Sequence, residues 1–230
     1  MTTTPLNQIH APAAPRFQQI LPRVRALTVA ALLFSASLAA YGDDLPYASG
    51  STGTDGPFSF ATPFSPGRQS SAMAFDPTRQ FAVMFGGTGN TTFGDTWAWN
   101  GATWTNLNPS NAPNARYQHA MAYDEARTRI VLYAGLVGGN FSSDTWLWTG
   151  QTWIQASPAQ SPGSRYAHAM AYDPVRQQVV LFSGQTPSGT QNETWTWNGT
   201  NWTLKSPTNK PPGRSYHSMA YDAERDQVVP

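Results

Sequence analysis

The chain has 230 residues, 40% hydrophobic, 13% aromatic and only 12% charged, with 19 glycines and 19 prolines; this profile suits short strands and many turns, not long helices or disorder. It contains no cysteine, which excludes disulfides, thiolate catalysis, Cys-ligated zinc and iron–sulfur clusters in this chain. The formal charge of +1 includes Arg16, Arg23 and Arg25 near the N-terminus; the remaining 11 basic and 13 acidic residues give a net of -2, and nucleic acid is not an expected partner.

Residues 1–42 have the pattern of a signal peptide. A basic, proline-containing stretch reaches Arg25, an apolar run extends from Ala26 to Ala40, and small residues place cleavage after Ala39 or Gly42. The run is about 15 residues long with serines inside it, short of the roughly 20 needed to span a bilayer. The mature protein is therefore expected to be secreted or periplasmic, with no stable membrane anchor after cleavage. Residues 43–65 form a linker and a candidate closing strand, Phe58-Ser59-Phe60-Ala61-Thr62-Pro63.

From residue 66 onward one phrase recurs: RQSSAMAFDPTRQFAV from Arg68, RYQHAMAYDEARTRIV from Arg116, RYAHAMAYDPVRQQVV from Arg165 and RSYHSMAYDAERDQVV from Arg214, spaced by 48, 49 and 49 residues. A second phrase follows the first three copies: DTWAWNGATW from Asp95, DTWLWTGQTW from Asp144 and ETWTWNGTNW from Glu193, and it contains all nine tryptophans. Such a period marks a repeat architecture.

Each phrase predicts a hairpin. In the first, a short apolar strand such as Ala120 to Tyr123 is followed by Asp-x-x-Arg and a β-branched strand such as Ile130 to Tyr133. Asp76, Asp124, Asp173 and Asp222 start the turns, and Pro77 or Pro174 presets the next position. In the second phrase Asn100-Gly101, Thr149-Gly150 and Asn198-Gly199 predict two-residue turns, which would set Trp97 opposite Trp104. Trp97, Trp99 and Trp104 then share one face, as do Trp146, Trp148 and Trp153, and Trp195, Trp197 and Trp202. So much apolar area requires neighbouring four-stranded sheets to stack.

Arg-x-x-His-(Ala/Ser)-Met, the glycines closing the second strand and Asp-Thr-Trp-x-Trp with a further tryptophan resemble kelch repeats of the galactose-oxidase-like superfamily, over residues 66 to 229. The resemblance implies an all-β fold: a partial kelch-type β-propeller of three complete four-stranded blades plus half of a fourth. The sequence departs from the pattern after the second strand, where Gly86-Gly87 becomes Ala134-Gly135 and Ser183-Gly184, and at Ser71, which replaces His119, His168 and His217. Kelch propellers often complete one blade with strands from both termini, which implies that Phe58 to Pro63 joins a final blade. The chain stops at Pro230 inside a second strand, and a continuation of the reading frame into further blades is expected.

The three aligned histidines have the types and spacing of metal ligands around an axis, but kelch repeats use this position for hydrogen bonds between strands and loops, and no metal or other cofactor is expected. Arg68, Arg116, Arg165 and Arg214 would ring one mouth of the channel, where guanidinium groups hold carboxylates or sulfates, or bond carbonyls of the adjacent blade. Tyr117, Tyr166 and Tyr216 beside them offer rigid amphipathic contacts. These arginines and tyrosines are the candidate ligand site. Asp95, Asp144 and Glu193 are one blade apart, too far to share a substrate, and are expected to bond the glycine-loop amides. The copper radical chemistry of galactose oxidase needs a cysteine linked to a tyrosine, and no Gly-x-Ser-x-Gly, HExxH, P-loop or sialidase box occurs. The expected function is an exported module that binds a protein or glycan or serves as a scaffold. The chain is not expected to be an enzyme; the alternative is a fragment of a carbohydrate-active propeller enzyme.

Overall fold

The computed structural model describes residues 67–230; the signal peptide, the linker and the closing-strand candidate Phe58 to Pro63 lie outside the described residues. Three antiparallel four-stranded sheets follow one another along the chain. The first comprises Ala72–Asp76, Phe81–Phe85, Thr96–Trp99 and Trp104–Asn106. The second comprises Ala120–Asp124, Arg129–Tyr133, Thr145–Trp148 and Trp153–Ala156. The third comprises Ala169–Asp173, Gln178–Phe182, Thr194–Trp197 and Trp202–Lys205. Ala220–Asp222 and Gln227–Val229 then pair as a hairpin.

The Asp-x-x-Arg turns form because the aspartate takes over the hydrogen bonds of the chain reversal. Asp76 Oδ1 accepts from the Thr78 and Arg79 amides at 3.0 and 3.1 Å, and its Oδ2 accepts from the Arg79 guanidinium at 2.6 Å. Asp222 repeats the arrangement with the Glu224 and Arg225 amides. The second copy, which lacks the proline, closes through a 3₁₀ turn, Glu125–Arg127.

The tryptophan hairpins differ from the predicted two-residue turn. Trp99 faces Trp104, Trp148 faces Trp153 and Trp197 faces Trp202, so four residues make each connection. The cause is local: Asn100 Oδ1 accepts from the Ala102 and Thr103 amides at 2.9 and 2.8 Å, and Asn198 Oδ1 does the same for Thr200 and Asn201. This Asx turn outcompetes the tighter one. Because the shift is by two residues, side-chain parity is kept and the three tryptophans of each sheet still share a face.

Each tryptophan face packs on the sheet before it. Trp146, Trp148 and Trp153 of the second sheet meet Val83 and Phe85 of the first; Trp197 and Trp202 of the third meet Val131, Tyr133 and Leu147 of the second. Trp153 and Trp202, both fully buried, donate their indole N–H to Thr96 and Thr145 of the preceding sheet at 3.0 Å. Aromatic side chains of this size remove about 150–250 Å² each, on the order of 4–6 kcal/mol per ring at ~25 cal/mol per Å². On the first sheet, Met73 and Phe75 share the tryptophan face and are each 39% exposed.

Candidate binding face at the strand starts

The segments leading into the first strand of each sheet carry the candidate site residues, and the arginines there are not presented to a ligand. Arg116 and Arg165 are 1% exposed. Arg116 makes a two-pronged ion pair with Asp144 at 2.6 and 2.7 Å and donates to the Ala134 carbonyl at 3.0 Å. Arg68 pairs the same way with Asp95, at 2.6 and 2.9 Å, and Arg165 reaches Glu193 at 2.9 Å. The indole N–H of Trp97, Trp146 or Trp195 donates to the same carboxylate at 2.6, 2.6 and 3.0 Å. One expectation is corrected here: the guanidinium groups of Arg116 and Arg165 are buried inside their own repeat. The carboxylates of Asp95, Asp144 and Glu193 accept from arginine and indole, while their backbone carbonyls accept from the glycine-loop amides of Gly86, Ala134 and Ser183 at 3.3, 3.0 and 2.9 Å. Burial alone would raise the Asp144 carboxyl; the bonds and charge of Arg116, with Ser142 and Trp146, hold it at about 2.

The arginine backbone joins successive repeats. The Arg116, Arg165 and Arg214 carbonyls accept from the Gly87, Gly135 and Gly184 amides of the preceding repeat at 2.8, 2.9 and 3.0 Å. Glycine is required at these positions: their φ values are +101°, +94° and +99°, and a Cβ on Gly135 would meet the Tyr117 carbonyl at 2.8 Å. Gly86 has φ +65°, and Ala134 and Ser183 hold its place at 56° and 62°; the first residue of the pair thus tolerates a side chain that the second does not. Two residues beyond each arginine, a backbone chain crosses three sheet boundaries. The Gln118 amide donates to Ser70, Ala167 to Gln118, and Tyr216 to Ala167, at 2.9 Å each, and all four residues have left-handed φ between 52° and 59°. The sequence gives no glycine at these positions to signal it.

The histidines that follow are packing groups. His119, His168 and His217 lie edge-on to Phe85, Tyr133 and Phe182 of the preceding repeat at 5.7, 5.6 and 5.6 Å. Both ring nitrogens of each are buried and make no close hydrogen bond among the described residues, their nearest polar neighbours being the backbones of Phe85, Tyr133 and Phe182. Burial, followed by the Arg116 charge, pushes His119 down to about 3.

What reaches the surface is mostly aromatic. Tyr117 and Tyr166 are half-buried and Tyr216 is 58% exposed. Phe141 packs at a tilt against Tyr166 with ring centroids 5.1 Å apart, Tyr166 meets Tyr216 edge-on at 6.5 Å, and Gln118 donates to the Tyr216 hydroxyl at 3.0 Å. Gln185 pairs with Tyr166 through the backbone and anchors the short ribbon Gln185–Thr186 and Gly189–Thr190. Phe141 and Gln185 were missed by sequence reasoning because they sit in the variable loop after the second strand, outside both repeated phrases. Arg214, half-buried, donates to the Pro212 carbonyl. The chain matches no protein-family model and no curated protein.

Proposed function

We propose that the chain is part of an exported kelch-type β-propeller that binds a glycan across the face carrying Tyr117, Phe141, Tyr166, Gln185 and Tyr216, without catalysing a reaction. The observation that carries this reading is the contiguous, partly exposed aromatic set, Phe141 to Tyr166 to Tyr216, edged by the amides of Gln118 and Gln185. Sugar rings offer apolar C–H faces to aromatic rings and hydroxyls to amides, and tyrosine supplies rigid amphipathic area at small entropic cost. The charges of Arg68, Arg116 and Arg165 are paired with carboxylates inside the repeats, which favours hydrogen bonding and aromatic contact, with Arg214 at one edge, as the means of recognition. The propeller reading rests on the repeat period, the stacked four-stranded sheets and the backbone chain from Ser70 to Tyr216.

A glycan array probed with the 230-residue chain and with Tyr166→Ala and Tyr216→Ala tests the site. Binding that falls at least about tenfold in both variants, a loss of roughly 1.4 kcal/mol, is expected. An empty array, or full binding by both variants, overturns the reading; capture of a protein ligand that both substitutions abolish would assign the face to a protein instead.

A further inference from the structure

At the opposite ends of the same strands, a cavity of about 400 Å³ opens at the rim between the second and third sheets, lined by Asp124, Arg127, Arg129, Leu147, Trp197 and Thr200 among others. We propose that this cavity is a binding site for a small oxyanion, sulfate or a carboxylate, held by Arg129, Arg127 and the Thr200 hydroxyl against the wall formed by Trp197.

The donors converge for reasons of register. Arg129 begins the second strand of its sheet and, by strand alternation, shares a face with Val131, which packs against Trp197 of the next sheet. Arg129 is exposed and has no hydrogen-bond or ion-pair partner among the described residues. Trp197 is fully buried and its indole nitrogen, like that of Trp148 at the equivalent place in the second sheet, is sealed from solvent without a partner among the described residues, so the ring forms a wall of the cavity and reports on it without donating into it. The Thr200 hydroxyl bonds to no described residue, while its amide is held by Asn198. The one acidic group, Asp124, is engaged by Arg127, whose Nη1 donates to both carboxylate oxygens at 3.1 Å and to the Gln177 carbonyl at 2.8 Å. Arg127 Nε and Nη2 make no further bond, so two arginines against one aspartate leave one positive charge and several open donors.

The repeats supply an internal control. The position of Arg129 is held by Phe81 in the first copy, Gln178 in the third and Gln227 in the fourth. Phe81 packs into the core between the first and second sheets, so a residue there serves packing when it is apolar. An arginine at the equivalent place adds charge that the repeat architecture does not use.

The test is a sulfate titration of the full chain followed through the Trp197 indole N–H resonance, assigned by its loss in Trp197→Phe. A saturable shift with sulfate, absent with chloride at matched ionic strength, is expected. Arg129→Gln should weaken it roughly tenfold, the effect of deleting one charge-assisted contact, while the other indole resonances keep their positions. Acetate acting in place of sulfate would assign the site to carboxylates. Equal titration of Arg129→Gln and the unsubstituted chain, or no shift with either anion, overturns the proposal.

Discussion

Asp144 illustrates how a repeated acidic residue is used. It satisfies a buried guanidinium and an indole N–H at once, and its low pKa expresses that. Asp144→Asn keeps the shape but leaves Arg116 buried without a counter-charge, and a loss of about 3 kcal/mol is expected in urea unfolding. Arg116→Lys should recover little of the stability lost in Arg116→Ala, because an ammonium does not reproduce the two-pronged contact. The histidines add a prediction about acid of the same sign. His119 has its folded pKa pushed from 6.5 to about 3, and His168 is pushed down as well, by burial, Arg165 and the two neighbouring histidines. The unfolded chain therefore binds more protons than the native one below pH 6.5, and stability falls with pH from there towards about 3. Asp144, at about 2, adds its own loss only below its ordinary pKa of 3.8, whereas Asp124, raised by burial, and Glu193, held below 4.5, also contribute above about pH 4, so the imidazole share is read as the difference between the unsubstituted chain and a histidine variant. Unfolding midpoints between about pH 6.5 and 4 should drop for the unsubstituted chain and drop less for His119→Phe, whose ring keeps the edge-on contact with Phe85.

At the scale of the elements, the turns clamp neighbouring sheets together. Arg79 leaves its Asp-x-x-Arg turn to donate to the Thr149 carbonyl of the next sheet at 2.7 Å, and a Cβ on Gly150 would meet that guanidinium at 2.0 Å. With φ +95° at Gly150, Gly150→Ala should cost about 1–2 kcal/mol in thermal unfolding, more than Gly101→Ala, where a Cβ would meet nothing within 4 Å. The strands themselves were legible because each repeated phrase pairs apolar alternation with a turn signal; Ala120 to Tyr123 and Ile130 to Tyr133 fall within the observed strands Ala120–Asp124 and Arg129–Tyr133. The hairpin register was not, since Asn-Gly favours a tight turn by backbone preference alone, and the Asn100 side-chain bonds that lengthen it are visible only once the loop has folded. The partner of Asp144 was equally hidden. It lies 28 residues away at Arg116, and no local pattern marks a contact of that length.

For the molecule as a whole, the sheets are held in sequence order by contacts that recur from boundary to boundary. Between the four-stranded sheets an aromatic face lies on the sheet before and an indole bonds to a threonine; Arg79 clamps the Gly150 turn and Arg127 the Gln177 carbonyl, and an amide extends the backbone chain at the strand starts. Both proposed sites rest on residues that break this regularity: Phe141 and Gln185 in the variable loops, and Arg129 at the far rim. Thr145→Val keeps volume but strands the Trp202 indole N–H in the interface, and should cost about 1–3 kcal/mol without altering ligand binding at Tyr166 and Tyr216.

The stacking order underlies both proposed sites, and nuclear Overhauser contacts between threonine methyls and tryptophan indole protons read it directly. Contacts from the Trp153 indole N–H to the Thr96 methyl and from Trp202 to Thr145 are the expected result; their absence, or contacts from either indole to a threonine of any other sheet, would contradict the account.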